Sequence, residues 1–271
     1  MIGHATKPAL LVLCVLLAAP LNATGLVRLT DRDDLFGWEA VGRVDISSGG
    51  YCTGTLVASN LVLTAAHCVF DQTGTKRVPA ELQFRAGLAD GTAIATSKVS
   101  RFVTADGYTP GAGMTAGNIL TDAALLELET PIPTSLAGPF APYERPKSGD
   151  AISIVSYGRN RDQAPSRQRE CSILDRGQGL IAFNCDVTFG SSGAPVFTDG
   201  AYRAQIVSLV VGGHKTADGK TVAYGMHLPP VLEGLKRKLR AAAPAVSTGS
   251  THKRVRIGQG GSASGAKFAK P

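Results

Sequence analysis

The sequence contains few aromatic residues and no apolar run long enough to cross a membrane. Aromatic residues make up 6% of the 271 residues, and the apolar run 9–19 has eleven residues. A transmembrane helix needs about 20 apolar residues, so this run is too short to span a bilayer. The sequence also has no Cys-x-x-Cys or His-x-x-x-His spacing. Because zinc sites usually show such pairs, we expect neither a metal ion nor another cofactor.

Residues 1–23 are typical of a secretory signal peptide. Lys7 precedes the run 9–19, and small residues follow at Ala23 and Gly25. This run has the length of a signal-peptide core. We expect cleavage after Ala23, which would leave no transmembrane segment in a secreted or periplasmic protein. The alternatives are cleavage after Gly25 and a retained membrane anchor.

Glycine and proline are plentiful, and helical periodicity is rare. The chain has 32 Gly and 15 Pro, and 44% of its residues are hydrophobic. This composition is typical of many short strands joined by turns, in a chain long enough to bury a core. Residues 228–239 have the apolar spacing of an amphipathic helix. We therefore predict an all-β fold with a short C-terminal helix.

Basic residues are concentrated at the C-terminal end. Residues 232–271 contain nine Lys or Arg and one Glu, a balance of +8, so the preceding 231 residues carry −1 of the net +7. Residues 236–271 are predicted to form a basic, flexible tail. Such a tail either keeps the protein soluble or binds an acidic surface, such as anionic lipid or a cell-wall polymer. Nucleic acid is not an expected partner, because Phe268 is the one aromatic residue in the tail that could stack on bases.

His67 lies beside a cysteine, after a segment typical of two β-strands. The composition of residues 54–64 predicts two strands around a turn at Ala58-Ser59-Asn60. This arrangement places His67 at a strand end. A hydroxyl is a poor nucleophile unless a neighbouring base takes its proton, and an imidazole can do so near neutral pH. An isolated His is more often part of a core or loop. In this setting we predict that His67 is a general base.

Ser192 lies in the glycine-rich segment Gly190-Ser191-Ser192-Gly193. Glycine lets the chain turn tightly, which can direct backbone N–H groups at one developing oxyanion. We predict that Ser192 is the nucleophile and that the N–H groups of Gly190 and Ser192 form the oxyanion hole. A Ser/Gly cluster is more often an ordinary loop, but strand-like residues follow this one directly. The nucleophile elbow of α/β-hydrolases is excluded, because it needs glycine where Ala194 stands.

Asp122 begins the apolar segment 122–128. An acidic residue in such a place is usually a solvated strand start. A catalytic imidazole, however, needs a carboxylate that holds it in one tautomer. Asp122 lies between His67 and Ser192 in the chain, and we predict that it has this role.

Four sequence blocks resemble the signatures of the chymotrypsin/trypsin-like serine protease family. They are Cys52-Thr53-Gly54-Thr55-Leu56, Thr64-Ala65-Ala66-His67-Cys68, Asp122-Ala123-Ala124-Leu125-Leu126 and Gly190-Ser191-Ser192-Gly193-Ala194-Pro195. Residues 155–159 and 185–190 are similar to the bacterial glutamyl-endopeptidase-like and trypsin-like branch. The resemblance covers residues 36–235. It implies two six-stranded antiparallel β-barrels, about 36–135 and 148–230, in a domain of residues 24–235 with the active site in the cleft between them.

The resemblance implies an exported serine endopeptidase. Such an enzyme hydrolyses peptide bonds through a Ser192, His67 and Asp122 triad and an acyl-enzyme intermediate. Its partners would be protein or peptide substrates, and we expect a monomer. The alternative is a binding or adhesion protein that keeps the protease scaffold without catalysis. The presence of all three triad residues favours the enzyme.

Removal of the signal peptide, with Cys14, would leave four cysteines. An even number in an exported protein favours disulfides, and three pairings are possible. We favour the two local bridges, Cys52 with Cys68 and Cys171 with Cys185; the first matches the family's bridge beside the catalytic His. Each would close a loop of about 15 residues, worth about 3 kcal/mol in the chain-entropy account.

The resemblance also implies a substrate pocket. Asp186 lies six residues before Ser192, where trypsin-like relatives have a carboxylate at the pocket floor, and Gly225 matches the glycine that keeps the floor open. Ser208 and Val210 lie on the strand that would line the substrate, and Val210 would narrow the pocket. A carboxylate at the floor favours Arg or Lys before the cleaved bond. Small apolar and glutamyl preferences are the alternatives.

Ser191 precedes the nucleophile, where digestive relatives have an aspartate. That aspartate pairs with the N-terminal amine that proteolytic activation creates. A serine cannot form this ion pair. We therefore expect the site of this chain to be ordered in another way.

Overall fold

The computed structural model describes residues 25–198 and 203–242. The predicted signal peptide and the part of the predicted tail after residue 242 lie outside these ranges. The strands are β1 (Leu26–Arg28), β2 (Val41–Ile46), β3 (Tyr51–Ala58), β4 (Leu61–Thr64), β5 (Leu82–Ala86), β6 (Ala95–Thr104), β7 (Ala124–Leu128), β8 (Ala151–Gly158), β9 (Arg161–Gly177), β10 (Leu180–Phe183), β11 (Pro195–Thr198), β12 (Gln205–Leu209), β13 (Gly212–Lys215) and β14 (Thr221–Met226). The helices are α1 (Arg32–Leu35), α2 (Ala116–Thr121) and α3 (Leu228–Ala241). None of the helices in the described ranges is long and apolar enough to cross a bilayer.

The first half of the domain is a closed antiparallel barrel with the strand order β2-β3-β4-β7-β6-β5. Its strands alternate inward and outward side chains, as β5 shows. Leu82, Phe84 and Ala86 are buried, whereas the two residues between them are partly exposed. This alternation is the two-residue period of a strand with one face on a core. The predicted turn between β3 and β4 falls at residues 59–60, as expected.

The second half is an antiparallel sheet in the order β12-β11-β8-β9-β10-β14-β13, with β1 paired to β9. Strand β9 is 17 residues long and pairs with β8 along one part and with β10 along another. This long shared strand lets the sheet curl into a half-barrel. The predicted double-barrel fold is confirmed, with one correction: no strand pairing within the described residues closes the second sheet.

Both local disulfides predicted from the sequence are present. Cys52 of β3 is bonded to Cys68, in a short 3₁₀ turn after β4, and the Cα atoms are 6.2 Å apart. Cys171 of β9 is bonded to Cys185, with Cα atoms 5.0 Å apart. The first bridge joins the strand β3 to the residue that follows His67. The predicted local pairing is therefore confirmed.

The predicted C-terminal helix is present and extends to Ala241, beyond its predicted end at Leu239. Leu232, Leu235 and Leu239 are buried and belong to the same hydrophobic cluster as the first barrel. Arg101 of β6 donates to the Leu239 carbonyl at 2.8 Å, and Lys238 Nζ donates to the Thr104 carbonyl at 3.0 Å. The helix thus packs on β6 and β7 of the first barrel as well as on β12 of the second sheet. Residues 236–241, assigned to the flexible tail from composition, are part of the folded domain.

The boundary of the domain can be tested by truncation. A chain that ends after residue 242 should keep the unfolding free energy of the full-length protein, because α3 is complete. A chain that ends after residue 235 should lose at least about 2 kcal/mol, the usual cost of removing a buried leucine, because Leu239 is gone. Denaturant unfolding of the three chains measures this. Equal stability of the two truncated chains would contradict the assignment of 236–241 to the domain.

Candidate active site

His67 and Asp122 are in direct contact in the cleft between the two halves. His67 lies in the 3₁₀ turn after β4, and Asp122 lies between α2 and β7. Asp122 Oδ2 is 2.7 Å from His67 Nδ1, and Asp122 Oδ1 accepts a hydrogen bond from the His67 backbone N–H at 2.9 Å. The carboxylate is buried, whereas 34% of the imidazole remains accessible. Because Nδ1 faces the carboxylate, Nε2 is left as the nitrogen that can accept a proton.

Tyr108 lies close enough to Asp122 to be affected by its charge. Tyr108 packs against Phe70, with ring centroids 5.5 Å apart. Burial raises the pKa of Tyr108 to about 12, and the negative charge of Asp122 adds to this shift. Tyr108 is therefore a neutral neighbour of the carboxylate at physiological pH.

The loop that carries Ser192 has its backbone orientation fixed by hydrogen bonds to its carbonyls. Arg159 N–H donates to Phe189 O at 2.7 Å, and Ala194 N–H donates to Ser191 O at 2.9 Å. In a planar trans peptide the N–H points away from the preceding carbonyl. The N–H groups of Gly190 and Ser192 are thereby directed away from these two donors, and neither has a protein acceptor in residues 25–198 and 203–242. Two free N–H donors in one loop, here separated by Ser191, are what an oxyanion hole requires.

Thr53 of β3 holds the other two carbonyls of this loop. Its hydroxyl donates to Gly190 O at 2.8 Å, and its backbone N–H donates to Ser192 O at 2.9 Å. Thr53 is adjacent to Cys52, which is bonded to Cys68 beside the imidazole. The strand β3 therefore connects the Ser192 loop to the turn that carries His67.

Two glycines of the loop are required by close packing and by their backbone conformation. Gly190 has φ +87°, and a Cβ there would lie 2.3 Å from the Tyr51 ring. Gly193 has φ +76°, and a Cβ there would lie 2.3 Å from Thr64 Oγ1. Both values of φ lie in the left-handed region, which costs other residues energy. The glycine pattern that singled out Ser192 in the sequence therefore has a physical cause.

The structure brings the predicted triad and oxyanion-hole residues to one place. His67 and Asp122 touch, and the Ser192 loop is hydrogen-bonded to the strand that precedes the His67 turn. No hydrogen bond joins the Ser192 hydroxyl to the imidazole among the described residues. The link between the Ser192 loop and the His67 turn therefore runs through Thr53 and the Cys52–Cys68 disulfide.

Ser191 is buried and belongs to a hydroxyl network. Its Oγ donates to Ser156 Oγ at 3.2 Å, and Arg161 Nη1 donates to the same oxygen at 3.3 Å. Burial lowers the pKa of the Arg161 guanidinium, and the nearby charge of Asp186 partly raises it. Ser191, which stands where digestive relatives have an aspartate, is therefore linked to the Arg161 guanidinium through the Ser156 hydroxyl group.

A cavity opens beside Ser192 and contains only one of the four predicted substrate-binding residues, Val210. The lining comprises Met114, Val187, Thr188, Phe189, Ser192, Val210, Val211, Gly212, Gly213, His214, Lys215 and Thr221. Asp186 lies behind this wall, where Oδ1 accepts a hydrogen bond from Thr221 Oγ1 at 3.3 Å. Ser208 is fully buried and donates to Met226 O at 2.8 Å. Gly225 packs on the backbone of residue 209, so a Cβ there would lie 2.0 Å from its oxygen.

Several lining residues could not be identified from the sequence. Met114 comes from a loop of the first barrel, and its Sδ lies over Gly212, 2.6 Å from where a Cβ would be. The buried Asn118 holds this loop, because its side chain bonds Thr109 N–H and Gly113 O, both at 2.9 Å. Neither contact has a local sequence signal. His214 and Lys215 also reach the cavity, and Lys215 brings a positive charge to it.

Cys52, His67 and Cys68 have potential metal-ligand atoms within 4.8 Å of one another. Both sulfurs are joined in a disulfide. A metal requires the free thiolate, so this group does not fit a zinc site while the bond is intact.

Known proteins resemble this chain over most of the described domain. A family profile described as trypsin-like peptidase domain matches residues 52–202. Serine protease 23 of Bos taurus is 29% identical over 187 residues, which cover 61% of this chain and 48% of that protein. Serine protease 23 of Macaca mulatta is 30% identical over 188 residues, covering 61% and 47%. The chain therefore spans about half the length of the curated relatives it matches.

Solved structures show the same fold. A Glu endopeptidase in complex with MPD aligns with a TM-score of 0.64 at 20% identity, covering 80% of this chain and 97% of that one. The protease Anisep from Arthrobacter nicotinovorans aligns with a TM-score of 0.60 at 17% identity, covering 75% and 96%. At this identity the structures support the fold, and the family profile supports the family. The chain belongs to the trypsin-like peptidase family.

Proposed function

We propose that the protein is an exported serine endopeptidase that acts through Ser192, His67 and Asp122. The observation that carries the proposal is the contact of Asp122 with both the ring and the backbone of His67, beside a loop with two free N–H groups. A buried carboxylate that orients an imidazole, next to a serine and two free donors, is the arrangement that acyl transfer requires.

The proposed mechanism assigns a chemical role to each of these groups. Ser192 Oγ attacks the carbonyl carbon of the scissile bond while His67 Nε2 takes the hydroxyl proton, and Asp122 stabilises the imidazolium. The carbonyl oxygen becomes an oxyanion that accepts hydrogen bonds from the N–H groups of Gly190 and Ser192. The C–N bond then breaks, His67 gives its proton to the leaving amine, and an acyl-enzyme remains. Water hydrolyses this ester by the same steps, and the serine is restored.

The alternative is a binding or adhesion protein that uses the same scaffold without catalysis. Such a protein has no need for two N–H groups in one partly buried loop that lack protein acceptors. The free amides of Gly190 and Ser192 therefore favour the enzyme.

The disulfides and the N-terminal sequence support export of the protein. Two disulfides form and persist in oxidising compartments, and the N-terminal sequence is typical of a signal peptide. We propose a secreted or periplasmic monomer with protein or peptide substrates. Binding of the basic tail to an acidic surface stays a proposal from composition.

The triad can be tested by removing its members singly and together. Ser192→Ala and His67→Ala should each lower kcat by on the order of 10⁶, and the double variant should be scarcely worse, because the two groups act as one unit. Steady-state cleavage of a denatured protein or peptide library measures the loss, with far-UV circular dichroism to verify folding. Additive losses, or more than a few per cent of activity in Ser192→Ala, would overturn the assignment.

The primary specificity depends on which groups reach the residue before the cleaved bond. We propose a preference for Arg or Lys, because the Asp186 carboxylate contacts the lining residue Thr221. The ammonium group of Lys215 opposes a cationic side chain and would attract an acidic one, as the name of the similar Glu endopeptidase implies for its substrates. Val210 narrows the cavity and favours a small residue. The Asp186 carboxylate therefore favours Arg or Lys before the cleaved bond, and the positive charge of Lys215 weakens this preference.

Peptides that differ only at that residue separate the three preferences. Arg or Lys should be cleaved about tenfold faster than Ala or Glu, which corresponds to about 1.4 kcal/mol of favourable charge interaction with the Asp186 carboxylate across Thr221. Asp186→Asn should abolish the difference, Lys215→Ala should increase it, and Asp175→Asn, an exposed carboxylate outside the cavity, should leave it unchanged. A wild type that prefers Glu or Ala, or an Asp186→Asn variant with an unaltered profile, would refute the role of Asp186.

A further inference from the structure

Thr53 makes hydrogen bonds to three separate parts of the active-site region. Its hydroxyl bonds Gly190 O at 2.8 Å and accepts from Tyr157 N–H, on β8 of the second sheet, at 3.0 Å. Its backbone N–H bonds Ser192 O at 2.9 Å, and its carbonyl accepts from Thr64 Oγ1 at 2.8 Å. Thr53 is fully buried. Thr53 therefore connects the first barrel, the second sheet and the Ser192 loop by its own hydrogen bonds.

The direction of the Thr53 hydroxyl proton follows from its partners. A hydroxyl has one hydrogen to donate, and a backbone N–H can only donate. Because Tyr157 N–H donates to Thr53 Oγ1, the hydroxyl hydrogen is available for the Gly190 carbonyl, which can only accept. The Thr53 hydroxyl thus accepts one hydrogen bond and donates the other. Tyr157 of the second sheet orients this hydroxyl, which in turn holds the Gly190 carbonyl of the Ser192 loop.

The Gly190 carbonyl needs an external restraint more than its neighbours do. Gly190 has φ +87° and no side chain, so the peptide groups on either side of it rotate more easily than those of other residues. The Gly190 carbonyl belongs to the Gly190–Ser191 peptide, which links the peptide that carries the Gly190 N–H to the peptide that carries the Ser192 N–H. Rotation of this linking peptide would change the angle between the two N–H groups. Phe189 O and Ser191 O are held by backbone donors, whereas Gly190 O is held by a side chain, the Thr53 hydroxyl.

We propose that the Thr53 hydroxyl is a positioning group that keeps the oxyanion hole formed. It does not touch the substrate, and it acts by holding the Gly190–Ser191 peptide, which lies between the peptides that carry the two N–H groups. The inference rests on the proposed function, because the oxyanion hole matters only if Ser192 is a nucleophile. It predicts a loss of transition-state stabilisation without a loss of substrate binding.

The same strand provides a matched control. Thr55 lies two positions along β3, is fully buried, and has a hydroxyl with no partner among the described residues. Replacing either threonine by valine keeps the shape and removes one hydroxyl. Only the change at residue 53 breaks a hydrogen bond to the loop.

The test compares Thr53→Val, Thr53→Ser and Thr55→Val with the wild type, at a temperature where all are folded. Thr53→Val should lower kcat by about 10 to 100-fold, a part of the 10² to 10³ that loss of an oxyanion donor costs, with KM within about threefold. Affinity for a peptide aldehyde, whose tetrahedral adduct uses the oxyanion hole, should fall in parallel. Thr53→Ser, which keeps the hydroxyl, and Thr55→Val should stay within about threefold of the wild type.

The outcomes separate this inference from the proposed function. If the wild type has activity that Ser192→Ala abolishes, while Thr53→Val keeps full kcat or Thr53→Ser is equally impaired, the role of the Thr53 hydroxyl is wrong and the triad stands. If the wild type has no activity that depends on Ser192, both proposals fail. Should Thr53→Val not fold, Thr53→Ala replaces it, and the same kcat against KM comparison with Thr53→Ser decides.

Discussion

The arrangement of the site depends on one constraint: a tight loop must hold two backbone N–H groups without partners in a packed environment. Unpaired backbone donors are costly and rare in folded proteins. Here all four carbonyls of residues 189–192 accept hydrogen bonds, from Arg159, Thr53, Ala194 and Thr53 again. These bonds fix each peptide plane, so the free N–H groups of Gly190 and Ser192 keep their direction while water or a substrate oxygen satisfies them.

The strand β3 gives this loop its relation to the imidazole. It carries Thr53, which bonds the loop, and Cys52, whose disulfide ends at Cys68 beside His67. Asp122, between α2 and β7, then bonds both the ring and the backbone of His67. The cleft residues thus come from both halves of the fold, but one strand of the closed barrel sets their spacing. The curled second sheet contributes Tyr157 and the Ser192 loop.

Residues whose structural setting follows from their immediate neighbours could be located from the sequence. His67 beside Cys68, Ser192 between glycines and the two local disulfide pairs are such cases, because strand ends, left-handed glycines and short loops leave local signals. Contacts between distant segments were not predictable. Thr53 and Gly190 are 137 positions apart, Met114 reaches the cavity from another loop, and Asp186 lies behind Thr221 instead of lining the pocket. The extent of α3 was missed because packing against β6, not composition, decides where that helix ends.

Covalent labelling can determine whether Ser192 is an activated nucleophile, as proposed. The purified protein is treated with a fluorophosphonate, whose phosphorus is attacked by an activated serine hydroxyl with loss of fluoride, and the adduct is located by peptide mass spectrometry. We expect one adduct, on Ser192, which is absent from His67→Ala and from protein unfolded before treatment. Failure of the native protein to react, or an adduct on another residue that persists in Ser192→Ala, would contradict the proposal.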